Sequence, residues 1–370
     1  MKVTCEKNLL VSAISVASRT VAPKSAISAL EGIYVRAGVK LVLSGYNLET
    51  GITVTVPAEI QSPGECIMPA RLFFDIIRKL PGDVVSLTVD EKFKVQIRSG
   101  IASFSITAMS AEDYPELPDV DSEKGVQIPQ NALKAMIGGT IFSVSENQAR
   151  PIHTGCLFEV ENDAITMVAV DGYRLALRRY TAEEPIGRTM KFVAPSAALK
   201  EVEKILGDTD DPCSFILGSK HILFEIGDAT LVCRILEGEF LDWRRVLPEN
   251  NPVKLTANVA SFMAAIERVG LIISEKIKSP VRCTFGNNTA DLRTVSTIGE
   301  AHDVCDVAGD GKELEIGFNC RYLLEALRAV PDAECSLELV NGLSPIVLNP
   351  CDGSRRFSYM VLPVRLKAGE

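Results

Sequence analysis

Pro69-Ala-Arg-Leu-Phe-Phe-Asp-Ile-Ile-Arg-Lys-Leu80, Pro195-Ser-Ala-Ala-Leu-Lys-Glu-Val-Glu-Lys-Ile-Leu206 and Asn319-Cys-Arg-Tyr-Leu-Leu-Glu-Ala-Leu-Arg-Ala-Val330 are three versions of one segment. Each carries an apolar residue eleven positions after its first, and each is followed by Pro or Gly and then by Asp within three residues. Their starts lie 126 and 124 residues apart. That spacing is a whole domain, well beyond the roughly 20 to 50 residues of a solenoid unit. The chain therefore reads as three like domains in tandem, with boundaries near residues 122 and 250: 1–122, 123–250 and 251–370.

Working outward, each copy opens with a second helical segment. Leu10, Ala13 and Ile14, then Leu133, Met136 and Ile137, then Phe262, Ala265 and Ile266 stand at i, i+3, i+4, which places each trio on one helix face. Strand signals are clearest in Val84-Val-Ser-Leu-Thr-Val89, Phe93-Lys-Val-Gln-Ile-Arg98 and Ser103-Phe-Ser-Ile-Thr107, with turns at Asp90-Glu91-Lys92 and Ser99-Gly100. Lys40–Ser44, Gly51–Pro57, Cys156–Val160, Ala164–Val170 and His221–Ile226 add further strands. Two helices need a sheet to cover their apolar stripes, so the fold class is α+β, with helices on antiparallel sheet in every copy. Tyr114-Pro-Glu-Leu-Pro118, Trp243-Arg-Arg-Val-Leu-Pro248 and Tyr359-Met-Val-Leu-Pro363 each put Leu-Pro after an aromatic residue, and proline suits the exit from a last strand.

The composition, 46% hydrophobic and 24% charged, is that of a soluble globular protein. No signal-peptide run or membrane-length apolar stretch is present, so a cytoplasmic protein with no membrane association is expected. Ten cysteines are scattered singly without CxxC pairs, which points to reduced core thiols rather than to a zinc site or disulfide framework. Three histidines stand outside any nucleophile or H-E-x-x-H motif, and Ala308-Gly-Asp-Gly-Lys312 lacks phosphate-loop spacing and reads as a β-turn. The expectation is no catalytic residue, no metal and no cofactor. Net charge is −9, yet the six helical windows carry ten Lys and Arg against five Asp and Glu, leaving −14 for everything else. Arg19, Arg71, Arg78, Lys79, Lys134, Lys200, Lys204, Arg268, Arg321 and Arg328 make the helical layer the basic one.

These features resemble the bacterial sliding clamps, the β subunits of DNA polymerase III, from Met1 to about Leu366. The most specific matches are Met68-Pro-Ala-Arg-Leu-Phe-Phe-Asp-Ile76, Arg98-Ser-Gly100, Val170-Asp-Gly-Tyr-Arg-Leu-Ala176, the Glu237–Pro248 segment and the tail Val361-Leu-Pro-Val-Arg-Leu366. The resemblance implies a non-catalytic processivity factor, a head-to-tail homodimer closed around duplex DNA with helices lining the hole. A geometric estimate agrees. Six helices about 10 Å across leave a hole of roughly 10 Å, too narrow for a duplex, whereas twelve leave about 28 Å. Such a ring holds DNA by being threaded, and its basic lining meets phosphates without reading bases.

The resemblance assigns DNA-facing roles to Lys24, Arg71 and Asn147 or Gln148, while Ser196 and Ala197 stand where relatives carry basic residues. It also implies a peptide pocket that receives short hydrophobic motifs of the polymerase III catalytic subunit, the clamp loader, other DNA polymerases and repair proteins. One half would use His153, Thr154, Val170, Gly172, Tyr173, Arg174, Leu175, Leu241, Val246, Met360 and Leu362. The other would use Arg150, Ile152, Asn319, Tyr322, Ser344, Ile346, Pro363, Val364 and Arg365. The chain departs from the usual pattern at His153 (commonly aliphatic), Tyr173 (His), Leu241 (Pro) and Val364 (Met). For ring closure the resemblance nominates Phe104 and Ile106 against Ile272 and Ile273, with Lys92, Lys94 and Arg98 facing Glu300, Asp303 and Asp306. Two rivals stay open at this stage: a monomeric repeat adaptor that binds peptides without encircling DNA, and a repeat enzyme with its chemistry at a domain interface.

Overall fold

The computed structural model describes residues 1–120, 125–248, 250–273 and 279–366. Seven α-helices are found among them: α1 Lys7–Ala17, α2 Ala70–Lys79, α3 Gln130–Gly138, α4 Ser196–Ile205, the single turn α5 Trp243–Val246, α6 Val259–Gly270 and α7 Cys320–Arg328. All six long helices fall on the segments singled out by periodicity. Leu10, Ala13, Ile14, Leu133, Met136, Ile137, Phe262, Ala265 and Ile266 are all buried. Burying a large aliphatic or aromatic side chain of this kind contributes about 1.5–3 kcal/mol, so these faces anchor the helices. Nine of the ten basic helix residues are exposed on the opposite faces, and Lys134 is half-buried.

The helix starts differ in chemistry. Asn258 and Asn319 cap α6 and α7, their side-chain oxygens accepting from the backbone N–H of Ser261 at 3.0 Å and of Tyr322 at 3.3 Å. Asn at this position satisfies one of the orphan donors of the first turn. At α2 the cap position is Pro69, which makes no side-chain bond.

Two compact units result, Met1–Asn131 with Glu201–Ile235, and Ala132–Lys200 with Leu236–Glu370. The first holds a five-stranded antiparallel sheet in the order Ala58–Ser62, Lys2–Glu6, Val84–Val89, Lys94–Ser99, Ala102–Thr107. It also holds an eight-stranded sheet in which Ala229–Arg234 pairs with Thr50–Val56, in the register Leu231↔Ile52. The second unit is built on a ten-stranded sheet in which Arg174–Thr181 pairs with Phe357–Val361, in the register Ala176↔Tyr359. Strands of the second sequence copy thus continue a sheet of the first copy at one place and of the third at another. Backbone pairing explains why compactness divides the chain into two units although its sequence repeats three times.

Three expectations change. The Trp243 segment is a helical turn and Tyr114–Pro118 is irregular, so only Tyr359 lies in a strand that ends just before its Leu-Pro. Ala308–Lys312 lies inside the 20-residue strand Gly299–Phe318, not in a β-turn. That strand pairs with Val281–Ser296 through a register broken near Asn287, and Asn288, Lys312 and Glu313 have φ of 59°, 55° and 54°. Bulges absorb the Gly- and Asn-rich stretches that look like turns in one dimension.

Candidate functional site

The nominated pocket residues all lie in the second unit. Its centre is the turn between strands Ala164–Val170 and Arg174–Thr181. Gly172 has φ 92°, a left-handed conformation that glycine adopts at little cost. Asp171 closes the turn: its Oδ1 accepts from the N–H of Tyr173 at 2.8 Å and of Arg174 at 3.0 Å, and its Oδ2 accepts from Arg174 Nε at 2.9 Å. Asp171 is therefore a turn-forming side chain of the kind Asx turns use. The turn throws Tyr173 outward, 61% exposed, while Arg174 and Leu175 go inward. Tyr173 also accepts through its carbonyl from the N–H of Leu362 at 2.8 Å, tying the chain's tail to the turn.

Arg174 is buried to 5% exposure, and each of its nitrogens donates one hydrogen bond. Besides Asp171 it pairs with Glu325 of α7 and donates to the carbonyl of Phe142. Its guanidinium lies 4.4 Å over the Tyr322 ring, and Tyr322 in turn stacks on Tyr173 at 5.9 Å. The result is a layered Arg174–Tyr322–Tyr173 stack whose outer ring faces solvent. Arg174 thus holds the aromatic wall in place, each of its three nitrogens donating to a neighbour within the chain.

Beneath this wall lies an apolar floor. Val170, Leu175 and Met360 belong to one buried cluster with Leu157, Val168 and Phe240, and Ile152, Trp243, Val246 and Leu247 pack on its margin. Leu241 at 40% and Leu362 at 36% exposure stand at the rim. The His153 ring meets Phe240 edge-on at 5.3 Å. Burial and the nearby Arg150 charge both push the His153 pKa down, so the ring is neutral at pH 7. Ile346 is fully buried in the neighbouring cluster that Tyr322 borders. Thr154, Ser344, Pro363 and Val364 are half-buried, and Arg150 and Arg365 are exposed. Val364 is fixed by its N–H donating to the carbonyl of Gly317 at 2.8 Å. Such a surface, apolar below and edged with Tyr and Arg, suits a short peptide with hydrophobic anchors.

Of the DNA-facing nominees, Lys24 and Arg71 lie in the first unit and Asn147 and Gln148 in the second, all four exposed. Arg71 borders a cavity of about 540 Å³ with Ser18, Pro23 and Phe74. Among the described residues, at least six of the ten basic helix residues make ion pairs: Arg19, Arg78, Lys204, Arg268, Arg321 and Arg328. Lys24, Arg71, Lys79 and Lys200 make none with the described residues. Among the described residues no group of three or more His, Cys, Asp or Glu is placed to hold a metal, and no helix is long and apolar enough to cross a membrane.

Family models for the N-terminal, central and C-terminal domains of the DNA polymerase III beta subunit match residues 1–118, 127–242 and 244–365. The chain belongs to the DNA polymerase III β-subunit family, the bacterial sliding clamps. The beta sliding clamp of Staphylococcus epidermidis is 30% identical over 378 aligned positions that cover 99% of both chains. A crystal structure of a DNA polymerase III beta subunit from Eubacterium rectale superposes with a TM-score of 0.94 at 30% identity, covering 99% of this chain and all of that one. The sliding clamp of Pseudomonas aeruginosa bound to griselimycin superposes at 0.93 with 26% identity and the same coverage. The matching family models are domains of a polymerase subunit, and the Staphylococcus epidermidis relative carries the name of a sliding clamp, an accessory protein.

One feature of this site escapes sequence reasoning. Glu159, not among the nominees, is buried to 5% exposure under the 240–247 segment. Within Cys156-Leu-Phe-Glu-Val160 it looks like the solvent-facing member of an alternating strand. Its partners, Trp243 and Arg244, lie some eighty residues away in sequence, and no local pattern reports them.

Proposed function

We propose that two copies of this DNA sliding clamp close head to tail around duplex DNA and tether replication and repair proteins through the pocket of the second unit. The observation that carries the proposal is the family match along all three repeats, joined to a helical layer whose unpaired cations include Arg71, Lys79 and Lys200. Domain boundaries near 122 and 250 belong to the same reading. Closure is supported by two free sheet edges, Ala102–Thr107 on the five-stranded sheet and Val281–Ser296 on the ten-stranded one. An unpaired edge is a template for another strand. Phe104, 41% exposed on the first edge, supplies apolar surface, and Lys94 and Arg98 stand exposed on the adjacent strand. Ile273 is half-buried against the core that follows α6, and Asp303 already pairs with Arg268, so that carboxylate orients the contact less than Glu300 and Asp306 do.

The pocket serves tethering because a short anchored peptide can be exchanged between partners while the ring stays threaded. The exposed Tyr173 and Leu362 offer the first contact, the Val170–Met360 floor takes the aliphatic and aromatic anchors, and Arg150 and Arg365 offer donors to peptide carbonyls or a carboxylate. The deciding experiment loads the chain on nicked circular DNA with a clamp loader and then linearises the circle. Retention on the circle and loss from free ends is the expected result. Equal retention on both, or a stable monomer at micromolar concentration, overturns the ring.

A further inference from the structure

The pocket's outer wall is a short segment with little backbone support of its own. Between residues 240 and 247 the backbone hydrogen bonds are local, Arg245 N–H to the Asp242 carbonyl at 3.2 Å and Leu247 N–H to the Trp243 carbonyl at 3.2 Å. Asp242 at the start of α5 makes no side-chain cap. A single helical turn is not stable by itself, so side chains must attach it to the sheet. Apolar packing of Phe240, Trp243, Val246 and Leu247 and a longer contact of Arg244 Nη2 with Glu161 at 3.4 Å contribute, and the close polar attachment is made by Glu159, on strand Gly155–Glu161. Its Oε2 accepts from Trp243 Nε1 at 3.0 Å and from Arg244 Nη1 at 2.8 Å, and its Oε1 accepts from Lys191 Nζ at 3.0 Å. The Arg244 guanidinium also lies 4.3 Å over the Trp243 ring, which locks the two attached side chains to each other. Val246, one turn further on, and Leu241, just before, are the pocket residues that this segment carries.

We infer that Glu159 is a positioning residue for the peptide pocket, a buried carboxylate that clasps Trp243 and Arg244 and so sets where Val246 and Leu241 stand. The inference rests on the pocket reading above and adds a residue that touches no ligand itself. All the carboxylate's oxygen capacity facing the segment is spent on the clasp, and the sheet holds the strand that carries it through pairing on both sides, Glu159↔Thr166 and Glu159↔Lys191. Movement of the wall relative to the floor therefore requires breaking charge-assisted bonds to a buried carboxylate, which would be left without its partners.

Trp243 is the chain's one tryptophan, so its emission reports the clasp without interference. The test measures binding of a fluorescein-labelled pentapeptide carrying Leu and Phe to the full chain, to Glu159→Gln, to Val246→Ala and to the double variant, each at a temperature well below unfolding. Glu159→Gln preserves shape and keeps an acceptor for the indole but removes both ion pairs. The expected result is a red-shifted Trp243 emission in the free variant and peptide binding about tenfold weaker, with less than about a twofold further loss when Glu159→Gln is added to Val246→Ala. That non-additivity is the signature of action through Val246, which a general loss of stability does not produce. An unchanged affinity in Glu159→Gln, or an undiminished loss in the Val246→Ala background, overturns the inference. If the native chain itself fails to bind the peptide, it is the pocket reading that falls, and the positioning role falls with it.

Discussion

At the residue scale, the pocket is governed by a few side chains whose neighbours decide their roles. Tyr173 is exposed because Gly172 and Asp171 turn the chain sharply before it, and it is ordered because Tyr322 and then Arg174 are stacked behind it. Tyr173→Ala should weaken a hydrophobic peptide by about 1–2 kcal/mol, read as a change in Kd, with little effect on unfolding. Glu159 also gives the molecule an acid limit. Burial by itself raises the Glu159 pKa, but hydrogen bonds from Lys191 and Trp243 and the Arg244 charge outweigh it and hold the carboxyl below the ordinary glutamate range. A carboxyl with a depressed folded pKa contributes stability above its unfolded pKa and loses it as pH falls through the folded one. Trp243 emission should accordingly stay constant through the neutral range and shift only on acidification below the ordinary glutamate range. The cysteines follow burial too. Seven are buried, with thiols such as Cys5 pushed up to about 11 and Cys66 to about 12, and Cys351 is the exposed one. Alkylation of the native chain should label Cys351 first and leave the seven buried thiols for the denatured state, as mass spectrometry can count.

At the element scale, the helices were legible and the longest strands were not. The apolar trios at i, i+3, i+4 placed α1, α3 and α6, and the repeated twelve-residue segment placed α2, α4 and α7, because a helix face must be buried whatever it packs on. The hairpin of Val281–Ser296 and Gly299–Phe318 was missed since Gly286-Asn-Asn288 and Gly309-Asp-Gly311 carry turn composition inside it. There the glycines serve close approach: a Cβ on Gly311 would come within 2.3 Å of the Phe285 carbonyl oxygen. Gly311→Ala should therefore cost about 1–3 kcal/mol in urea unfolding, more than a surface substitution does. Edge strands carry the other prediction of this scale. Replacing Ile272 and Ile273 by Glu should give a folded monomer by light scattering, and an unchanged dimer would show that closure uses a different edge.

At the scale of the whole molecule, the charge is divided by element: a basic helical layer within a chain of net charge −9. Among the described residues, ion pairs take up at least six of the ten helix cations, so the proposed contact with phosphates falls on the remaining ones, Arg71 among them, together with Lys24. Removing both should lower the slope of log affinity against log salt by about 2 on duplex DNA, with no change in sequence preference. The amino-acid sequence by itself determined the three-fold repetition, the helix faces, the basic bias of the helices and the family, because periodicity, composition and motif order are properties of the chain read in one dimension. Only the tertiary structure decided that sheets run on from one copy to the next, that Arg174 is consumed by Asp171, Glu325 and Phe142, and that Glu159 grips Trp243 and Arg244. Those are choices of partner between residues far apart in sequence, and burial strength depends on which partner the fold supplies.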